Sequence, residues 1–139
     1  DQEIAIYRDD VQYARYANRA VWHLPHDPLV VFGLRHLWSG VKQSFQGSID
    51  DARIYDRALS LEELKGLQPN QVQDQATPWA WWDFETSSRE RTGRYASELL
   101  VAGAKIQDGR LHLTGRATMI VAQRSNQLAR VLETNGLLH

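Results

Sequence analysis

Short segments with alternating apolar and polar residues dominate the chain, which is the pattern of β-strands. Residues 3–16 alternate on either side of a polar break at residues 8–10, and this predicts a β-hairpin. Residues 17–28 contain two prolines and predict a loop. The apolar run that opens residues 29–37 predicts one strand, bulged at Gly33.

A further strand is predicted over residues 45–55. Phe45, Ile49 and Ile54 are its expected core contributors, and Gly47 indicates a bulge or a close approach of another group.

After residue 55 the spacing of apolar residues changes from that of a strand to that of a helix. Ser60 lies three residues before Glu63, the spacing of a capping box, and predicts a short helix over residues 61–67. Residues 68–78 are rich in Gln and have prolines near both ends, so we interpret them as a linker.

Beyond the linker, the sequence predicts more short strands and no alternation of strands with helices. The predicted strands are residues 79–84, 99–104, 111–114 and 118–122, with turns at 108–109 and 115–116. Short strands at such intervals favour a sandwich or barrel. Residues 124–139 give no clear pattern.

Composition excludes several functions. With 16 basic and 17 acidic residues the net charge is -1, so nucleic acid is not an expected partner. No apolar run is long enough for membrane insertion. The chain has no cysteine, which excludes disulfides and thiolate zinc sites, and His23 and His26 lack the converging ligands that a histidine zinc site needs.

Residues 45–64, FQGSIDDARIYDRALSLEEL, closely resemble the closing signature of bacterial laminin-G-like jelly rolls of the concanavalin-A-like class. Residues 4–10 resemble the internal hairpin of that family, with Asp10 where a turn glycine is usual. The resemblance implies an all-β, antiparallel jelly-roll β-sandwich. It also implies an extracellular, periplasmic or cell-surface location.

Residues 82–85, 91–93, 103–104 and 108–115 are similar to the first strands of another such domain, so the two halves stand in reversed order. We interpret residues 1–67 as the C-terminal half of one jelly roll and residues 79–123 as the N-terminal half of a second. Each half alone would leave an unpaired edge. We therefore predict that they complete each other as in a circular permutant, through an antiparallel ladder between residues 79–85 and 45–55.

Asp50 and Asp51 adjoin the signature strand, where the family commonly holds a structural calcium. Calcium takes about six to eight oxygen ligands, so two carboxylates are not enough by themselves. Where the family's opening loop usually supplies an aspartate, this chain has Arg89, Glu90 and Arg91. The alternative is that the two aspartates pair with neighbouring arginines or cap turns.

Trp38 stands in a predicted loop beside Arg35 and His36, and an indole next to polar donors is suited to stacking on a sugar. The alternative is a tryptophan that closes the edge of the sandwich. Asp83 and Glu85 match framework positions, so no catalysis is expected.

The resemblance thus implies a non-catalytic accessory module that binds carbohydrate or cell-surface glycan and contacts other domains of its parent protein. A structural spacer is the alternative. A third possibility is a fragment of a fructosidase-like glycoside hydrolase whose catalytic domain lies outside this chain.

Overall fold

The computed structural model describes residues 3–17, 28–34, 45–72, 76–115, 118–124 and 126–128. Its elements, in chain order, are β1 (Glu3–Arg8), β2 (Val11–Ala17), β3 (Val30–Phe32), β4 (Gly47–Ile49), β5 (Ala52–Ile54), α1 (Leu61–Gly66), β6 (Ala80–Trp82), β7 (Ser97–Val101), β8 (Lys105–Gln107), β9 (Arg110–Leu113) and β10 (Thr118–Ala122). All ladders between these strands are antiparallel. The predicted all-β sandwich class is confirmed.

Strands β1 and β2 form the predicted hairpin. Asp9 and Asp10 make its turn with φ values of 51° and 62°, a left-handed conformation that Asp tolerates better than most residues. The register shifts between Ile6 and Tyr7, which is a β-bulge. Every residue of β1 is exposed, so the hairpin stands clear of the core.

The remaining strands of the first half each pair with a strand of the second half. β3 pairs with β10, β4 pairs with β9, and β5 pairs with β6. These pairs are nested along the sequence, as in one long antiparallel hairpin that has been folded over. β7 and β8 extend two of these three pairs, giving the orders β3-β10-β7 and β4-β9-β8, and β5-β6 is a two-stranded sheet.

The ladder predicted between residues 45–55 and 79–85 is confirmed. Ala52 is opposite Trp82 and Ile54 is opposite Ala80, and these residues face the core. Trp79 N–H also donates to the Ile54 carbonyl at 2.7 Å. The two halves therefore pair backbone to backbone within one chain.

Residues 45–55 form two short strands and not the single strand that was predicted. The break falls at Asp50 and Asp51, because β4 and β5 pair with different strands. Phe45 is 48% exposed, so its assignment to the core is wrong. A side chain at Gly47, whose φ is 152°, would come within 2.8 Å of the Phe45 ring, which confirms a close approach there.

Other strand bounds differ in ways that local geometry explains. β3 ends at Phe32, and the ladder has no bulge at Gly33, which instead takes a φ of 96° after the strand. Residues 35–37 lie outside the described part. The sequence missed β8, a short, mostly exposed strand whose polar ends hide the alternation.

The core lies between the layers and draws on both halves. Its buried members are Ala80, Trp82, Phe84, Tyr95, Leu111, Leu113, Met119 and Val121, and partly buried neighbours include Val30, Phe32, Ile49, Ala52 and Ile54. Phe32 meets Trp82 and Phe84 edge to face, with centroids 5.3 and 5.7 Å apart. This aromatic contact joins the halves through side chains as the ladders do through backbone.

Helix α1 confirms the predicted capping box. The Ser60 hydroxyl accepts from the Glu63 N–H, and the Glu63 carboxylate accepts from the Ser60 N–H at 2.8 Å. Leu67 ends the helix in an extended conformation. In the described part of the chain, no helix is long and apolar enough to cross a membrane.

Candidate functional site

A groove of about 1040 Å³ separates the hairpin from β5 and the region around α1. We call it the outer groove. It is lined by Glu3, Ile4, Ala5, Ile6, Tyr7, Arg15, Asp51, Arg53, Tyr55, Ala58, Leu59, Leu64, Leu67, Gln68 and Pro69.

The floor of the outer groove follows from strand alternation. Ala52 and Ile54 pack against the core, so Asp51, Arg53 and Tyr55 point to the opposite face and line the groove. Because Ala52 and Ile54 face the core on either side of Arg53, the Arg53 side chain must point to the outer surface.

Asp51 organises this floor through a single carboxylate oxygen. Its Oδ2 accepts from Arg53 Nη2 at 2.7 Å, from the Asn70 backbone N–H at 2.7 Å and from Trp81 Nε1 at 3.0 Å. Arg53 Nη2 also donates to the Gln68 carbonyl at 2.7 Å. These contacts tie β5, the turn after α1 and β6 into one rigid surface.

Arg53 is nearly buried, with 6% of its side chain exposed. Burial works against the charged form, but hydrogen bonding to Asp51 and the interaction with Tyr55 outweigh it and raise the pKa of Arg53. Nε, Nη1 and the Tyr55 hydroxyl are buried, and none of them has a hydrogen-bond partner in the described structure. Tyr55 is therefore close enough to raise the pKa of Arg53, but its hydroxyl is not aligned for a hydrogen bond.

The walls of the outer groove are largely apolar. On one side, β1 contributes consecutive residues, among which Ile4, Ile6 and Tyr7 are 37%, 42% and 37% exposed. Leu59, Leu64 and Leu67, all half-buried, line the other side. The charged wall residues Glu3 and Arg15 pair with each other.

Glu90 fixes β6 behind the floor. Its carboxylate accepts backbone N–H bonds from Trp81 at 2.9 Å, Thr92 at 2.7 Å and Arg94 at 2.8 Å. Burial opposes the charged form, but these N–H donors prevail and lower the pKa of Glu90. The Glu90 carboxylate thus accepts the Trp81 N–H bond that a neighbouring strand would otherwise accept.

Asp50 and Asp51 have different partners. The Asp50 carboxylate lies 3.7 Å from Arg110 Nη2, whereas Asp51 pairs with Arg53. The pairing considered as the alternative to calcium is therefore present for Asp51. Within the described ranges, no three His, Asp or Glu residues are grouped to hold a metal ion. A calcium site at these aspartates stays a prediction.

Several residues singled out in the sequence lie outside the described part: Arg35, His36, Trp38, His23 and His26. Among the other tryptophans, Trp82 is a core residue and Trp79 packs edge to face on Tyr95. Trp81 lies on the outer face.

The other two candidate acids have structural contacts. Asp83 accepts from Arg91 Nε at 2.7 Å, and Glu85 accepts from the Asn70 side-chain amide.

Residues 1–65 match the family model described as the concanavalin A-like lectin/glucanases superfamily. The match covers 65 of the 139 residues and supports a laminin-G-like, concanavalin-A-like assignment for this part of the chain, as the signature over residues 45–64 indicates. No curated protein and no solved structure gives a significant match to the chain.

Sequence reasoning missed the outer groove, although part of its signal was visible. The alternation of residues 51, 53 and 55 against 52 and 54 predicts an outward polar row. What the sequence does not show is that the hairpin faces this row across a gap, or that the row meets Trp81.

Proposed function

We propose that this chain is a non-catalytic carbohydrate-binding module, an accessory part of a larger exported protein. The outer groove carries this proposal, because apolar walls beside a rigid floor of paired polar groups suit a sugar. The superfamily match of residues 1–65 supports it.

The chemistry of the groove fits a sugar in two ways. Sugar rings have apolar faces, which Ile4, Ile6 and Tyr7 can cover. Sugar hydroxyls both donate and accept, and the floor offers the Asp51 carboxylate next to the Arg53 guanidinium. An apolar wall and a directional polar floor would together fix the orientation of the ring.

The test is affinity electrophoresis of the full chain in gels that contain a broad panel of polysaccharides. We expect at least one polysaccharide to retard the chain, and Ile6→Ser to weaken that retardation. Val11→Ser is the matched control, because Val11 lies on the same hairpin, is 67% exposed and does not line the groove. No retardation on any polysaccharide would favour the structural spacer.

Arg35, His36 and Trp38 remain a second proposed sugar site. Trp38→Ala should weaken retardation if the Trp38 indole stacks on the sugar, with the circular-dichroism spectrum unchanged. A full effect of Trp38→Ala without any effect of Ile6→Ser would assign binding to the residues around Trp38 and not to the outer groove.

A structural calcium at Asp50 and Asp51 is also proposed, with further oxygens supplied by main-chain carbonyls or water. A ligand that binds only the native state raises the melting temperature. Equal melting temperatures in calcium and in excess chelator would exclude a site of useful affinity.

The parent protein is proposed to be a glycoside hydrolase, with its catalytic domain outside residues 1–139. We propose an extracellular, periplasmic or cell-surface location. Turnover of an aryl-glycoside or fructan by the pure chain, lost in Asp83→Asn or Glu85→Gln, would contradict a non-catalytic module.

A further inference from the structure

The floor of the outer groove contains buried hydrogen-bond donors that lack an acceptor. Arg53 donates through Nη2 to Asp51 and to the Gln68 carbonyl, while its Nε and Nη1 have no partner in the described structure. The Tyr55 hydroxyl beside them is also without one. Buried donors that lack an acceptor are costly, so the floor is incomplete as it stands.

Asp51 does not supply the missing acceptor. Its Oδ2 already serves three donors, from Arg53, Asn70 and Trp81. Asp51 engages Arg53 through Nη2, so an incoming acceptor group would be needed by Nε and Nη1, which Asp51 does not engage.

The charged residues that line the groove balance one another, so they do not repel an anion. The four charged lining residues form two pairs, Glu3 with Arg15 and Asp51 with Arg53. In addition, Nε and Nη1 of Arg53 have no acceptor in the described structure. An acceptor-only group matches these donors better than a hydroxyl, which brings a donor of its own.

We propose that the outer groove takes an acidic glycan, whose uronic acid carboxylate binds Arg53 and Tyr55 while its sugar ring lies against Ile4 and Ile6. This inference rests on the proposed carbohydrate-binding function and names the class of sugar. Nε and Nη1 are closed to water. Binding of the carboxylate therefore requires the Arg53 side chain to move and to exchange its present hydrogen bonds for bonds to the ligand.

The test compares polygalacturonate, alginate and hyaluronate with the same polymers after reduction of their carboxyl groups, using the full chain at about 150 mM ionic strength. The expected result is that at least one acidic polymer binds about tenfold more tightly than its reduced form, the worth of one charge-assisted hydrogen bond. Dextran sulfate tests for unspecific attraction to anions and should bind weakly.

Arg53→Gln should abolish this preference for the acidic form. Arg89→Gln makes the same change of charge at an exposed residue outside the groove and should leave the preference intact. Tyr55→Phe removes only the hydroxyl and should reduce the preference in part, which keeps the test informative if Arg53→Gln does not fold.

Three outcomes would overturn the inference. Equal affinity for acidic and reduced polymers would refute it while leaving carbohydrate binding in place. A preference that survives both Arg53→Gln and Tyr55→Phe would assign the carboxylate to another site. The absence of binding to every polymer would remove the proposed function together with the inference.

Discussion

Arg53 and Trp81 are register partners on β5 and β6, and the guanidinium carbon lies 5.5 Å from the centroid of the indole ring. Arg53 belongs to the first half of the chain and Trp81 to the second. The pairing of the two halves therefore builds the floor of the outer groove as well as the core beneath it. Neither half has this surface alone.

Glu90→Gln should destabilise the fold, because the charged acceptor of the Trp81, Thr92 and Arg94 N–H groups is lost. We expect a loss of about 1–3 kcal/mol in the free energy of unfolding. Urea denaturation measures it. Glu62→Gln, an exposed carboxylate of α1, is the control and should change stability little. Equal stability of Glu90→Gln and the unmodified chain would contradict the role given to Glu90.

Phe32→Ala should destabilise both halves together, because Phe32 packs on Trp82 and Phe84 across the join. The expected cost is about 2–4 kcal/mol. Denaturation followed by tryptophan fluorescence and by far-ultraviolet circular dichroism should shift to the same lower midpoint in both signals.

Phe45→Ala provides the matched truncation, since Phe45 is 48% exposed and should cost clearly less. Separate midpoints for the two signals, or equal costs for both truncations, would mean that the halves do not share one core.

The capping box of α1 should make stability depend on pH. Hydrogen bonds from Arg57 and from the Ser60 backbone lower the pKa of Glu63 from 4.5 to about 2. A carboxyl whose pKa is lowered by folding stabilises the native state above its unfolded pKa, and this contribution disappears as the pH falls. The loss is therefore expected between pH 4.5 and about 2.

Glu63→Gln removes the titrating group, so its stability should fall less steeply with pH across that window. Thermal melts at several pH values measure the slope, with Glu62→Gln as the neighbouring control. A slope that Glu63→Gln leaves unchanged would rule out this contribution.

The sequence predicted the parts of the fold that local pattern determines. The Ser60–Glu63 spacing predicted α1, and alternation predicted the hairpin and the strand at Ala80–Trp82. Reversed order of the halves predicted the β5–β6 ladder, because each half leaves an edge that the other can pair.

The pattern of apolar and polar residues did not predict the features that depend on long-range packing. Phe45 is apolar and was predicted to be in the core, but it lies before β4 and stays half exposed. The break at Asp50 and Asp51 arises because β4 and β5 pair with different strands, and no local signal records that. The outer groove depends on where the hairpin comes to lie, so it follows only from the three-dimensional arrangement.

Nuclear magnetic resonance of the indole N–H groups tests the central claim, that a glycan binds in the outer groove, most directly. The chain has five tryptophans, and each gives one indole signal that a Trp→Phe variant assigns. Trp81 Nε1 donates to Asp51 at the groove floor, whereas Trp82 is fully buried in the core. During titration with oligomers of the polysaccharide that retards the chain, the Trp81 signal should move and the Trp82 signal should stay. Saturation with the Trp81 signal unmoved, or a shift of Trp38 alone, would contradict binding in the outer groove.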